Sequence, residues 1–114
     1  MSAKSYRDLD IYRLAHQLAV ECHVMTLKKL PAFELYEEGS QLRRASKSVT
    51  VNIVEGFALR RYKNEFVRYL MQAHASCDET QEHLRLLFET QSLSDDELFR
   101  RLMTQFCEGF ELVS

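Results

Sequence analysis

Apolar residues recur along this chain in alternating steps of four and three. Between Leu9 and about Leu30 they fall at Ile11, Ala15, Leu18, Cys22 and Met25, the spacing of one packed helical face. Pro31 closes that segment, because the residue before a proline is pushed out of the helical region. The clearest repeat is Phe66, Leu70, Ala73, Cys77, Thr80, Leu84 and Leu87, enough for ~30 Å of helix at about 1.5 Å per residue. A last stripe of Leu98, Leu102, Phe106 and Phe110, with Phe99 and Met103 beside it, follows S-D-D-E. There Ser94 and Glu97 have the spacing of a capping box, with Asp95 and Asp96 favourable at the positive helix end.

One stretch resists this pattern. Residues 48 to 54 read S-V-T-V-N-I-V, an alternation that on its own is a β-strand. No other segment alternates, and a lone strand leaves its backbone donors and acceptors unpaired. Followed upstream, Leu42, Ala45, Val49, Asn52 and Gly56 step by three and four, so the stretch reads as the second half of a helix. The β-branched residues cost only a few tenths of a kcal/mol each there, which packing overrides. Asn52 and Gly56 then sit on the core face. Asn52 needs a hydrogen-bond partner and has the character of a register-fixing polar residue. Gly56 either admits a close backbone or ends the helix as a left-handed cap. Glu55, at the seam's edge, is expected to partner a basic residue or a helix-end hydroxyl.

These segments predict a single all-α domain over residues 1–114, an antiparallel up-and-down four-helix bundle with helices near 8–30, 40–58, 63–90 and 95–112. The expected connections lie around Pro31 to Gly39, Leu59 to Lys63 and Gln91 to Ser94. P-A-F-E-L-Y-E-E-G has room for a helical turn before Gly39 interrupts it.

Charge adds what periodicity does not. The net charge is −2, but residues 1–42 carry −1, residues 43–68 carry +5 and residues 69–114 carry −6. A basic middle and an acidic end either bind an anionic partner or attract each other within or between subunits. Cys22, Cys77 and Cys107 are odd in number and widely spaced, so they read as small core residues in a reducing compartment. With no apolar leader region and no run of ~18 apolar residues, a cytoplasmic protein that does not cross a membrane is expected.

Catalytic and metal chemistry finds little support. A di-iron bundle needs inward Glu-x-x-His pairs, and the residues three before His16, His23, His74 and His83 are Arg13, Val20, Met71 and Thr80. His74 with Cys77, and Cys22 beside His23, lack paired zinc-ligand spacing. No phosphate loop or nucleophile elbow is present, so neither an enzyme nor a cofactor is expected. What remains is the basic set Arg43, Arg44, Lys47, Arg60, Arg61, Lys63 and Arg68, with Tyr62 among the last group. Arg43 and Lys47 project about 160° from Ala45 and Arg44 about 100°, so all three read as outward. Cations interleaved with an aromatic suit phosphates and stacked bases; salt bridges to a neighbouring subunit are the competing reading. Tyr12, Phe57, Leu59, Tyr69, Met71 and Phe99 are left over from the seams, which points to a second buried surface and self-association.

At S-Q-L-R-R-A-S-K-S-V-T-V-N-I-V-E-G, residues 40 to 56, the chain resembles the 23S ribosomal RNA intervening-sequence proteins. The likeness extends to Y-R-D-L-D-I-Y-R-L-A at residues 6 to 15, the Leu30-Pro31 turn and R-Y-K-N-E-F-V-R-Y-L at residues 61 to 70. It spans about Tyr6 to Phe88, with little signal in the last helix. The resemblance implies a bundle of four antiparallel helices that assembles into a homo-oligomeric ring, a pentamer; an RNA or ribonucleoprotein partner is the expectation carried by the basic segment. A related branch looks like the accessory proteins of diversity-generating retroelements, basic five-fold barrels that work with a reverse transcriptase and its RNA. The family pattern places proline where this chain has Thr50 and alanine where it has Val54. That branch is strongly basic, whereas this chain has an isoelectric point near 6.1.

Overall fold

The computed structural model describes residues 3–111, which form four α-helices and two short 3-10 turns without a β-strand among them. The helices are α1 (Asp10–Lys28), α2 (Glu38–Ala58), α3 (Lys63–Glu89) and α4 (Asp96–Gly109), with 3-10 turns at Tyr6–Asp8 and Ala32–Leu35. S-V-T-V-N-I-V lies wholly inside α2.

Local chemistry sets the helix ends. The 3-10 turn at Tyr6–Asp8 is held by a capping box between Ser5 and Asp8. α1 ends where the Lys29 N–H donates to the Met25 carbonyl at 2.8 Å, two residues before Pro31. α2 begins earlier than the pattern suggested: Gly39 is buried within its first turn and does not interrupt it. The reason is the Ala32–Leu35 turn, which folds back so closely that a Cβ at Gly39 would run into the Glu34 carbonyl oxygen. Glu37 makes no side-chain cap, and the buried Glu34 replaces it, its Oε1 accepting from the Glu38 N–H at 3.0 Å. α3 ends in a left-handed Gln91 (φ 69°), after which the Leu93 N–H donates to the Leu87 carbonyl at 2.9 Å. At α4 the cap is Asp95 and not Ser94, with Asp95 Oδ1 accepting from the Leu98 N–H at 3.0 Å. The helix starts at Asp96, so the extended residue before it is Asp95, and its carboxylate is the side chain placed to cap.

α1 packs on α2, α2 on α3, α3 on α4, and α4 returns to α1. Thr26 meets Arg43, and Ile11 and Ile53 line one small void. Glu38 meets His83, Ser48 meets Ser76, and Gly56 lies against Tyr69. Phe88 stacks on Phe99 with centroids 4.0 Å apart, and Cys77 Sγ donates to the Phe106 carbonyl at 3.1 Å. Lys29 pairs with Asp95, and Glu21 with Arg101. Leu18, Leu42, Leu84, Leu87 and Leu102 are fully shielded in the resulting core, each contributing roughly 1.5–3 kcal/mol. The polar groups among them are satisfied locally: Thr80 donates to the Ser76 carbonyl and Ser46 to the Arg43 carbonyl.

Three expectations need correction. Cys22 and Cys77 are buried, but Cys107 is exposed; all three thiols are free. Asn52 is half-buried at the edge of the α2 face, and Ile53, 2% exposed, takes the core position. The buried arc of α2 includes both Ala45 and Ser46, which rotates its centre past the predicted seam. Of the six left-over apolar residues, Tyr12, Phe57, Leu59, Tyr69 and Phe99 are half-buried and only Met71 is exposed. The exposed apolar surface is carried instead by other residues, notably Val20, Val24, Leu27, Val51 and Val67.

Candidate nucleic-acid interface

The basic residues fall into three groups that the sequence had merged. At the end of α2 the Leu59 N–H closes on the carbonyls of Glu55 and Gly56, the Arg60 N–H donates to Phe57, and the Tyr62 N–H to Leu59. The turn between α2 and α3 is therefore short, and it holds Arg60, Arg61, Tyr62 and Lys63 together on the surface, with Tyr62 65% exposed. Gly56 makes this tight return possible: its missing Cβ would lie 3.3 Å from Tyr69 Cβ on α3. It acts through close approach and is not a left-handed cap, since α2 continues to Ala58.

The Arg60 guanidinium lies 4.0 Å from the Phe57 ring centroid and donates to the Phe57 carbonyl at 2.9 Å, so its position is fixed while it stays exposed. Arg61 and Lys63 have no ion-pair partner among the described residues. Lys63 opens α3, whose positive end adds to the field that an anion meets there. Arg68 is different: it pairs with Glu65 at 2.8 Å and lies 4.4 Å from the Tyr69 ring. The hydrogen bond to Glu65 raises its affinity for its proton, and its charge is locally compensated.

Arg44 and Lys47 are exposed but sit on the flank of α2, ~20 Å or more from the turn at about 1.5 Å per residue. Arg43 leaves the set. It is half-buried, donating to Thr26 Oγ1 at 2.8 Å and to the Leu35 carbonyl at 2.6 Å, which bolts α1 and the Ala32–Leu35 turn to α2. Its backbone points outward as projected, but a three-carbon stem lets the guanidinium fold back to an otherwise unpaired carbonyl.

The polar residues of α2 form a second, structural cluster. The Asn52 amide donates to the Ser48 carbonyl at 2.9 Å and to Ser48 Oγ at 3.1 Å, and Ser48 Oγ lies 2.8 Å from Ser76 Oγ on α3. Asn52 thus orients the hydroxyl that joins the two helices. Glu55 is exposed and has no ion-pair partner among the described residues, contrary to expectation.

Two further exposed cations, Lys4 and Arg7, were not in the basic set read from the sequence. The Tyr6–Asp8 turn packs on α2 as well as α1 and, since Ile11 and Ile53 line the same small void, it lies toward the end of α2 that carries the basic turn. Arg7 lies 4.9 Å from the Tyr6 ring, whose edge meets Tyr12 at 4.8 Å. The S-Y-R-D capping spacing was the available signal. Among the described residues no group of three or more His, Cys, Asp or Glu is placed to hold a metal ion, and no helix is long and apolar enough to cross a membrane.

No curated protein matches the chain. The family pattern runs through α4, beyond the Phe88 limit of the sequence likeness. The chain belongs to the 23S rRNA-intervening sequence protein family, whose model matches residues 7–111.

Proposed function

We propose that this protein is a non-catalytic, self-associating helical scaffold or accessory subunit that engages RNA or a ribonucleoprotein through the α2–α3 turn. The supporting observation is the turn itself, where Arg61 and Lys63 are unpaired, Arg60 is held over Phe57, and Tyr62 is exposed between them. That combination offers phosphate contacts and one stacking platform without sequence readout. We read the fold as an antiparallel up-and-down bundle, because residue numbers rise along each helix as they fall along its neighbour in every cross-helix pairing. A homo-oligomeric ring, with five subunits as the family resemblance implies, would array several such turns around one axis.

The test is binding of a structured RNA followed by fluorescence anisotropy across a salt series. Wild-type affinity is expected to fall steeply with salt. The Arg60→Ala/Arg61→Ala/Lys63→Ala variant should reduce the log–log slope by about 2 units, since each neutralised phosphate adds about 0.7–0.9 to it. No RNA binding even at low salt, or an unchanged slope, would refute the reading and leave assembly alone as the role. That second reading is favoured by the +5 and −6 segments, which suit salt bridges between copies. Partnership with a reverse transcriptase, as in the retroelement accessory proteins, is tested by copurification of the two proteins.

A further inference from the structure

The hollows on the surface of this molecule differ in kind. The groove between α1 and α2 is apolar, walled by Val20, Val24 and Val51. Another hollow, of about 520 Å³, lies where the Ala32–Leu35 turn meets the link between α3 and α4, and it combines aromatic rings with carboxylates. Phe33 and Tyr36 line it and are 62% and 84% exposed. On a 3-10 turn residues three apart stand nearly over one another, so the two rings share one side of it.

The turn that carries them is fixed. The Glu34 N–H donates to the Pro31 carbonyl at 3.0 Å, the Glu37 N–H to the Glu34 carbonyl at 3.3 Å, and Arg43 holds the Leu35 carbonyl at 2.6 Å. The rings are therefore in place before a partner arrives, which lowers the ordering cost of binding. Charge selects that partner. Between Leu30 and Leu42 the chain has three carboxylates, Glu34, Glu37 and Glu38, and no basic residue. Glu38 is engaged by His83 Nδ1 at 2.6 Å, but Glu37 is exposed and has no ion-pair partner among the described residues. Glu34 is the buried member of the lining, 4% exposed, with hydrogen bonds from the Glu38 N–H and the Ser92 hydroxyl but no cation paired to it among the described residues. A buried carboxylate without a counter-charge is costly, and a cation entering the hollow offsets that cost. Lys29 and Arg43 do not supply it, because Lys29 is committed to Asp95 and Arg43 to Thr26 Oγ1 and the Leu35 carbonyl.

We infer that this hollow binds an arginine side chain in a basic segment of a partner protein. The planar guanidinium stacks on the exposed rings, and its N–H groups donate to the Glu37 carboxylate. Lysine fits less well, because a compact, strongly hydrated ammonium neither stacks nor pairs in that planar way. The hollow lies at the opposite end of α2 from the basic turn at 60–63, about 30 Å away at about 1.5 Å per residue, so both can be occupied at once.

The experiment is fluorescence anisotropy of a labelled peptide of alternating glycine and arginine, titrated with the full chain at low salt, beside the same peptide with lysine in place of arginine. The arginine peptide is expected to bind about fivefold or more tightly than the lysine peptide. Tyr36→Ala and Phe33→Ala should each weaken it about twofold to tenfold, the loss of one cation–π contact, whereas Tyr36→Phe keeps the ring and should bind as the parent does. Glu37→Gln should weaken binding and flatten its salt dependence. All three positions are exposed, and circular dichroism checks that each variant is folded. No binding of the arginine peptide at low salt, equal binding of the lysine peptide, or binding that Tyr36→Ala and Phe33→Ala both leave unchanged overturns the inference, since general negative charge would then suffice. If Tyr36→Ala breaks up an oligomer of the parent protein, seen by light scattering, the hollow belongs to another copy and the inference falls.

Discussion

Glu34 ties three separate parts of the chain together. It is 4% exposed, and its oxygens are divided between the Glu38 N–H that opens α2 at 3.0 Å and the Ser92 hydroxyl between α3 and α4 at 2.6 Å. Replacing it with Ala removes the surrogate cap, worth about 1 kcal/mol. It also removes a hydrogen bond to a charged acceptor, worth about 1.5–3 kcal/mol, and strands the buried Ser92 hydroxyl. Part of this is returned, because the carboxylate no longer has to be desolvated. The expected net loss is about 2–3 kcal/mol, roughly 10 °C in Tm for a chain of this size. Glu34→Gln should lose less, near 1 kcal/mol, since the amide oxygen still caps Glu38 and the amide N–H can donate to the Ser92 hydroxyl. Urea denaturation followed by circular dichroism measures each variant, and a cycle with Ser92→Ala should show a coupling of about 1–2 kcal/mol. If Glu34→Ala stays within about 0.5 kcal/mol of the parent, or the cycle is additive, the carboxylate is not what joins these segments.

Three further outcomes are expected. Gln91→Gly relieves the left-handed backbone after α3 and should stabilise the protein by about 1 kcal/mol; a lower Tm would contradict the strain argument. A thiol reagent should modify Cys107 rapidly in the native protein, because burial pushes the Cys22 thiol up to about 12 and that of Cys77 up to about 11; three thiols should react only after denaturation. A hydrogen bond from Arg101 holds the Glu21 carboxyl below its ordinary 4.5. With the folded value depressed, the pair's contribution is complete above pH 4.5 and is lost as pH falls through the lowered value. Glu21→Gln should therefore flatten the acid limb of the stability curve below pH 4.5, and an unaltered limb would count against the pairing.

The helices were legible because their apolar period is strong and their breaks are few. What the period does not carry is side-chain reach and the width of a buried arc. A projection treats Arg43 as a ray leaving the axis, whereas its guanidinium turns back to the Leu35 carbonyl. Asn52 was placed one position too deep because α2 packs against both α1 and α3, so its buried arc is wider than a single seam. The cationic turn was legible because R-R-Y-K is contiguous. The nearness of Lys4 and Arg7 to that end of the molecule is tertiary, fixed by the pairing of α1 with α2. Cys107 follows the buried Phe106 in sequence and lies about 100° round the helix from it, which on a narrow amphipathic helix is enough to expose it.

The strand-like stretch in α2 has a physical explanation in these terms. Successive alternate residues on a helix point about 160° apart, so an apolar residue at every second position cannot serve one face. Val49 and Ile53 are 1% and 2% exposed and serve the core, whereas Val51 is 57% exposed and joins Val20 and Val24 along the outer groove. Thr50 lies on the floor of that groove, and Asn52 on the edge toward α3 aligns Ser48 with Ser76. S-V-T-V-N-I-V is thus two helical stripes interleaved, one for folding and one left open. A helix that had only to fold would need just the first. The second leaves apolar surface exposed beside Lys47 and Arg44, which have no ion-pair partner among the described residues, so the alternation that reads as a strand is the sum of a core stripe and a surface stripe.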